Sequence, residues 1–264
     1  MEKSARYASP IGIFSGSTMK IIACVLMLVD HVGLMFFSTV GIYRIIGRLA
    51  FPLFAFFIAE GSHYTKHKLK RFLLIFGMGL AYLGVYWFLT DMIYASVFLT
   101  FTFSIILIEL CDRVKKSLFG DRNYILTALY SVLLAASAIG IYFLFKIVDF
   151  DYGFFGMLLP VLTNLFDFKS LDVPPVLKRL DSYLGRFLSF SLGVLLMVLL
   201  NDARPFEILG AMVDVKYFAL LAIPLLLLYN GKPGNKKLKY FFYVFYPTHL
   251  VVLEIISVII MIFN

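Results

Sequence analysis

Apolar stretches of about 20 residues, separated by short polar turns, recur along the whole chain and predict nine helices. They lie at 18–37, 41–60, 71–89, 93–110, 122–145, 153–168, 183–200, 206–229 and 240–263. The sixth is short. The eighth carries Glu207, Asp214 and Lys216, which suits an interfacial or re-entrant start. The fold class this predicts is an all-α polytopic membrane protein of about nine transmembrane helices. One domain, 1–264, accounts for it, because the polar connections are too short to hold a folded soluble domain.

Composition agrees with that pattern. Of the 264 residues, 61% are hydrophobic and 15% charged, with a mean hydropathy of +0.92. A soluble domain holds about a quarter charged residues, so the expected location is the cell (inner or plasma) membrane, multi-pass.

The net charge of +8 gains meaning from its placement. The segments 1–20, 66–71, 113–122, 169–186 and 232–239 hold 19 of the 24 Lys and Arg, all on one side of the predicted alternation. By the positive-inside rule that side, with the N-terminus, is cytoplasmic, and nine spans leave the C-terminus outside. Membrane lipid, not nucleic acid, is the partner implied. Lys3, Arg6 and Lys20 before an apolar run give the layout of a secretory signal. The run is longer than a signal's and contains Asp30-His31, so it reads as a retained helix. Cys24 and Cys111 offer neither a metal spacing nor a disulfide. No internal repeat, Walker loop or dinucleotide fingerprint is present.

Candidate chemistry starts from Asp30, His31 and Arg48, ionisable groups within the first two spans. Such groups are costly in hydrocarbon and mark function unless they merely lock two helices together. At about 1.5 Å per residue, His31 lies ~5 Å and Arg48 ~4 Å to the outer side of their helix middles, so an antiparallel pair brings them together. Ala23, Cys24, Met27, Asp30, His31 and Leu34 share a face, and Arg44, Arg48 and Pro52 recur every four residues. The expected pairing is Asp30 with Arg48, leaving His31 to accept a proton.

His249, behind Pro247 in the last span, lies ~4 Å to the cytoplasmic side of its middle and is a second candidate. At the cytoplasmic edge Glu60, Gly61 and His63 precede Lys66, Lys68, Lys70 and Arg71. The flanking cations argue against a metal at His63 and His67, and suit phosphates such as those of coenzyme A or simply anionic lipid. Asp149, Asp151, Tyr152, Asn201, Asp202 and Arg204 stand at the outer mouth, as acceptor contacts or as solvated loop ends.

Three runs of residues, Met27-Leu28-Val29-Asp30-His31-Val32-Gly33, Gly47-Arg48-Leu49-Ala50-Phe51-Pro52 and Phe245-Tyr246-Pro247-Thr248-His249-Leu250, with Glu60-Gly61 between, resemble the TraX family. Ser96 stands where the resemblance leads one to expect Asn, and 110–235 matches mainly in hydropathy and at Tyr152-Gly153. The resemblance implies a membrane acetyltransferase that takes acetyl from cytoplasmic acetyl-CoA to an amine or hydroxyl of a protein (pilin) or glycan acceptor. On that reading His31, Asp30 and Arg48 are catalytic, and His249, Arg44 and Tyr152 line the substrate or acyl passage. Glu60, His63, Lys66, Lys70 and Arg71 hold the coenzyme, with no metal. The alternatives are a proton-coupled permease with an Asp30/His31/Arg48 relay, and a non-catalytic pilus or envelope assembly factor.

Overall fold

The computed structural model describes residues 8–37, 41–168, 171–202, 205–208 and 211–263. In chain order the helices begin with α1 (Gly16–Phe36), α2 (Gly41–Gly47), α3 (Ala50–Tyr64) and α4 (Lys68–Thr90). A short strand β1 (Tyr94–Ala95) leads into α5 (Val97–Lys115), whose π-helical end precedes α6 (Tyr124–Ile147). Then come β2 (Asp149–Phe150), α7 (Gly153–Thr163), α8 (Pro175–Leu180) and α9 (Tyr183–Leu200). A hairpin of β3 (Pro205–Ile208) and β4 (Ala211–Asp214) is followed by a 3-10 turn, α10 (Ala222–Leu226) and α11 (Lys239–Phe263).

Among the described residues, six stretches are long and apolar enough to cross a membrane: Gly16–Phe36, Gly41–Tyr64, Lys68–Phe88, Tyr124–Ile147, Tyr183–Leu200 and Phe241–Phe263. Three of the nine predicted spans take other forms. The fourth is α5, whose last turns carry Glu109, Asp112 and Arg113. The sixth is the 11-residue α7, about 16 Å long. The eighth is no continuous helix: the polar Glu207 and Asp214 stretch folds as the β3–β4 hairpin, where backbone groups pair across strands. The second span breaks at Arg48-Leu49 because Pro52 cannot donate to the carbonyl of residue 48 and its ring crowds that carbonyl.

Large apolar side chains lie bare on the outer helix faces, Phe88, Ile125 and Ile147 each more than 80% exposed. Water would make that surface an aggregation hazard, whereas hydrocarbon suits it. With the long apolar helices, this makes the chain a multi-pass membrane protein.

The chain divides into two compact units, Met1–Phe54 with Asp202–Asn264, and Ala55–Asn201. In the first, the lead-in to α1 is bound to the lead-in to α11. Ile13 N donates to Leu228 O (2.9 Å), Gly16 N to Lys232 O (2.7 Å) and Asn230 N to Phe14 O (2.9 Å). Helices α1 and α11 therefore start at one end and pack side by side. Helix α2 meets α1 through glycines: a Cβ on Gly33 would fall 2.2 Å from Tyr43 Cβ, and one on Gly47 2.2 Å from Asp30 Cβ. Small residues allow this closeness where the hydrophobic effect gives no drive between helices.

In the second unit α5 is central, packed against α4, α6 and α7. Its two ends fix the direction of its neighbours. At one end β1 pairs in parallel with β2, and Asn201 at the end of α9 donates to Tyr152 O (2.8 Å). At the other, Lys115 Nζ donates to Asn164 O (2.8 Å) and Asp167 O (3.1 Å), past the end of α7. Helices α5 and α7 thus run parallel over the same depth, and a turn continues the short α7 to the far end.

Candidate functional site

Two polar clusters stand out, one in each unit. The first centres on α1. Its carboxylate, Asp30, meets Arg44 of α2, with Nη1–Oδ1 at 3.0 Å, and Arg48 exerts a second attraction on it. Arg48 is the partner the sequence leads one to expect; Arg44, one turn earlier, adds an ion pair where Gly47 brings α2 against Asp30. The carboxylate is therefore flanked by two guanidinium groups.

His31 is not left alone beside that pair. Its Nδ1 lies 3.0 Å from Met27 O and 3.0 Å from Nε2 of His249 on α11. His249 Nδ1 lies 2.8 Å from Phe245 O. A carbonyl only accepts, so both Nδ1 atoms carry hydrogen. His31 Nδ1–H is then shared between Met27 O and the bare His249 Nε2, and His31 Nε2 is the nitrogen with the basic lone pair. Phe245 stacks on the His249 ring at 4.8 Å, and Tyr246 meets both imidazoles edge-on. The two backbone carbonyls, Met27 O and Phe245 O, thus fix both tautomers.

The second cluster closes the other unit at the end where α3 stops. His63 Nδ1 is 2.6 Å from Asp167 Oδ2, the carboxylate side chain being 1% exposed and the imidazole 15%. Lys115 holds the backbone of that turn, and Asn164 Nδ2 donates to Asp112 Oδ1 (3.2 Å). Arg186, itself buried, stacks over Phe56 at 5.3 Å. Glu60 is buried as well.

Of the residues proposed to hold a coenzyme, Lys66 and Lys70 are exposed. Arg71 instead turns back on α3, donating to Ser62 Oγ (2.9 Å) and Ile58 O (2.6 Å) over Gly61. Tyr152 belongs to the opposite end of this unit, in a left-handed conformation (φ 62°) just before α7. There the Tyr94 hydroxyl donates to Asp151, and Thr100 Oγ1 to Asp151 O (2.9 Å). Burial, and then the neighbouring Asp151 carboxylate, push the Tyr94 phenol well above its ordinary range. Arg204 and Lys169 lie outside the described residues.

Sequence reasoning missed Asp167, Asn164 and the inward use of Lys115 and Arg186. The first two carried a readable signal, polar residues three apart near the end of an apolar run, as at Asp30. Lys115 and Arg186 were read as loop charges, yet both are buried in protein.

These observations define the class: an all-α, multi-pass membrane protein with a paired-imidazole cluster between two of its spans. The chain belongs to the TraX family, matching the TraX protein family over residues 15–257. It is 25% identical over 259 residues to the probable fimbrial assembly protein FimC, serogroup H1, of Dichelobacter nodosus, covering 91% of this chain and 94% of that one. It is 40% identical over 60 residues, 23% of each chain, to an uncharacterised protein of Rickettsia prowazekii (strain Madrid E). No solved structure matches.

Proposed function

We infer that the protein is a membrane acetyltransferase that carries acetyl from acetyl-CoA to an amine or hydroxyl, with His31 as general base. The observation that carries this reading is the contact of His31 Nδ1 with His249 Nε2 at 3.0 Å, both rings held in one tautomer by backbone carbonyls. A base so held presents Nε2 for the acceptor's proton. As the acceptor's nitrogen or oxygen attacks the acetyl carbon, its proton passes to His31 Nε2. The Nδ1 proton of His31 then moves to His249 Nε2, spreading the charge over two rings. As the C–S bond breaks, His31 Nε2 passes that proton to the sulfur, the Nδ1 proton returns from His249, and coenzyme A leaves as its thiol. Asp30, between Arg44 and Arg48, keeps two cations beside the base; Arg48 is the candidate donor to the oxyanion.

TraX membership supports acetyl transfer as the reaction class, and the Dichelobacter relative's name makes a fimbrial subunit the acceptor to try first. On this reading the enzyme belongs to the inner membrane of a bacterial cell, with the Lys- and Arg-rich loops on the acetyl-CoA side. The deciding measurement is mass spectrometry of fimbrial proteins and envelope glycans from cells with and without the gene, alongside thiol release from acetyl-CoA by purified protein. An acetyl mark that disappears without the gene, and a loss of about 10²–10⁴-fold in His31→Ala, are expected. A parental rate in His31→Ala would overturn the base assignment. Because His31 acts neutral, the rate falls as acid protonates it.

The imidazole pair also favours a second reading, since two rings in hydrogen-bond contact conduct protons. A proton-coupled permease would show pH-gradient-driven flux in liposomes with no acyl donor present.

A further inference from the structure

We propose that a cavity beside the start of α6 binds the headgroup of a zwitterionic phospholipid, one that carries a phosphate and a primary ammonium, as phosphoethanolamine does. The proposal concerns a partner at the edge of the molecule and does not rest on acetyl transfer.

The cavity has a volume of about 530 Å³ and lies within the second unit, between the turn joining α5 to α6 and the segment that opens α8. Both walls are held in place. On one side Asp121 N donates to Lys116 O and Asn123 N to Ser117 O, each at 2.9 Å, and the Asn123 side chain caps α6 by accepting from Leu126 N. On the other, Val173 is buried and Pro174-Pro175 fix the backbone as α8 begins. The walls are joined where Phe119 meets Phe168 edge-on at 5.9 Å and Leu171 packs over Gly120.

Two charges of opposite sign line this space, Arg122 on the first wall and Asp172 on the second, and among the described residues no ion pair joins them. Arg122 holds a left-handed conformation (φ 49°), a costly backbone for a residue with a Cβ. It stands just before the N-terminus of α6, where the helix dipole adds to its attraction for an anion. A phosphate suits that wall, and a primary ammonium suits the Asp172 carboxylate. A headgroup that is anionic only would leave Asp172 facing net negative charge, and a trimethylammonium has no hydrogen to donate to it.

The surface that continues from the cavity makes the occupant a lipid. Of the 24 residues of α6 only Ile141 is buried, so this long apolar helix runs along the edge of its unit. Tyr124, its first residue, lines the cavity and is exposed, an amphipathic ring of the kind that marks the boundary between hydrocarbon and water. Ile125, Leu129 and Val132, at i, i+4 and i+7, are bare along the same helix. A headgroup in the cavity thus has apolar surface beside it for its acyl chains.

Native mass spectrometry of the purified full-length protein in detergent, titrated with phosphatidylethanolamine, phosphatidylcholine or phosphatidylglycerol, tests this. Phosphatidylethanolamine is expected to be retained about threefold to tenfold more tightly than either of the others, the range that exposed charge contacts supply. Arg122→Gln should weaken its binding by a similar factor. Asp172→Asn should remove its advantage over phosphatidylcholine while leaving phosphatidylcholine binding unchanged. Both side chains are exposed, so parental unfolding temperatures are expected in the two variants. Equal retention of the three lipids would mark an unselective lipid shell, and a preference for phosphatidylglycerol plain attraction of basic loops to anionic lipid; either overturns the proposal. A preference that survives both substitutions also overturns it, since the lipid then binds elsewhere. Displacement of the lipid by an equimolar amount of glycerophosphoethanolamine, the same headgroup without chains, would make the ligand a soluble phosphate ester and overturn the lipid assignment.

Discussion

Tyr94 shows how a single side chain here translates into measurable stability. Its phenol donates to Asp151 in a buried setting, and burial followed by that carboxylate raises its ionisation well above the ordinary phenol value of about 10. A group whose folded-state value is raised contributes stability that is complete below its unfolded value and is lost as pH rises through the folded one. The protein in detergent should therefore lose thermal stability from about pH 10 upward more steeply than Tyr94→Phe. At neutral pH that variant should be weaker by about 1 kcal/mol, having lost the Tyr94–Asp151 hydrogen bond. Parallel alkaline slopes for the two proteins would show that Tyr94 ionises as freely folded as unfolded. At this scale the sequence was half legible. Asp30 and His31 announce themselves because an acid and an imidazole inside an apolar run need a reason. The contact between His31 and His249 was not legible: depth counted from helix middles sets them on opposite sides of the midplane. Their helices start at one end but are staggered. His31 lies fifteen residues beyond Gly16 and His249 ten beyond Lys239, so α11 begins about 8 Å deeper. Hydropathy fixes no such offset.

Between elements, the site depends on how closely α2 approaches α1. The antiparallel neighbourhood of the first two spans was legible from their short connection. The Arg44 contact was not, because it depends on how closely Gly47 lets α2 approach Asp30. With Gly47 against Asp30, any larger residue must push the helices apart. Gly47→Leu is expected to cost about 1–3 kcal/mol from overpacking and to separate Arg44 from Asp30, lowering turnover as well as the unfolding temperature. Gly77 on α4 is the control: a Cβ there meets nothing within 4 Å. Gly77→Ala should be neutral or more stable by up to about 1 kcal/mol through helix propensity. If both variants behave alike, the close approach at Gly47 is not what holds the pair.

For the whole molecule, the hydrogen bonds at the two ends of the chain's first unit constrain how many times it crosses the membrane. Residues 9–17 and 228–235 are bonded together and so lie on one side, which requires an even number of crossings between them. The long helices Gly16–Phe36, Gly41–Tyr64, Lys68–Phe88, Tyr124–Ile147 and Tyr183–Leu200 supply five, which is odd. The β1–β2 pairing and the Lys115 contacts show that α5 and α7 run parallel within the second unit; counted as two further crossings they would bring the number to seven. Parity then asks the segment 205–229 for one more, although it is a hairpin followed by short helices. The 3-10 turn and α10 together reach about 21 Å, enough for a re-entrant piece buried against protein to complete the passage. Among the described residues six helices are long and apolar enough to cross, so any further crossing that parity asks for falls to shorter elements than hydropathy suggests. Single cysteines replacing Met212 and Asn230, in a background lacking Cys24 and Cys111, should label with a membrane-impermeant maleimide from opposite faces in sealed vesicles. Labelling of both from one face would leave the chain an odd crossing short and would require α5 or α7 to turn back within the bilayer.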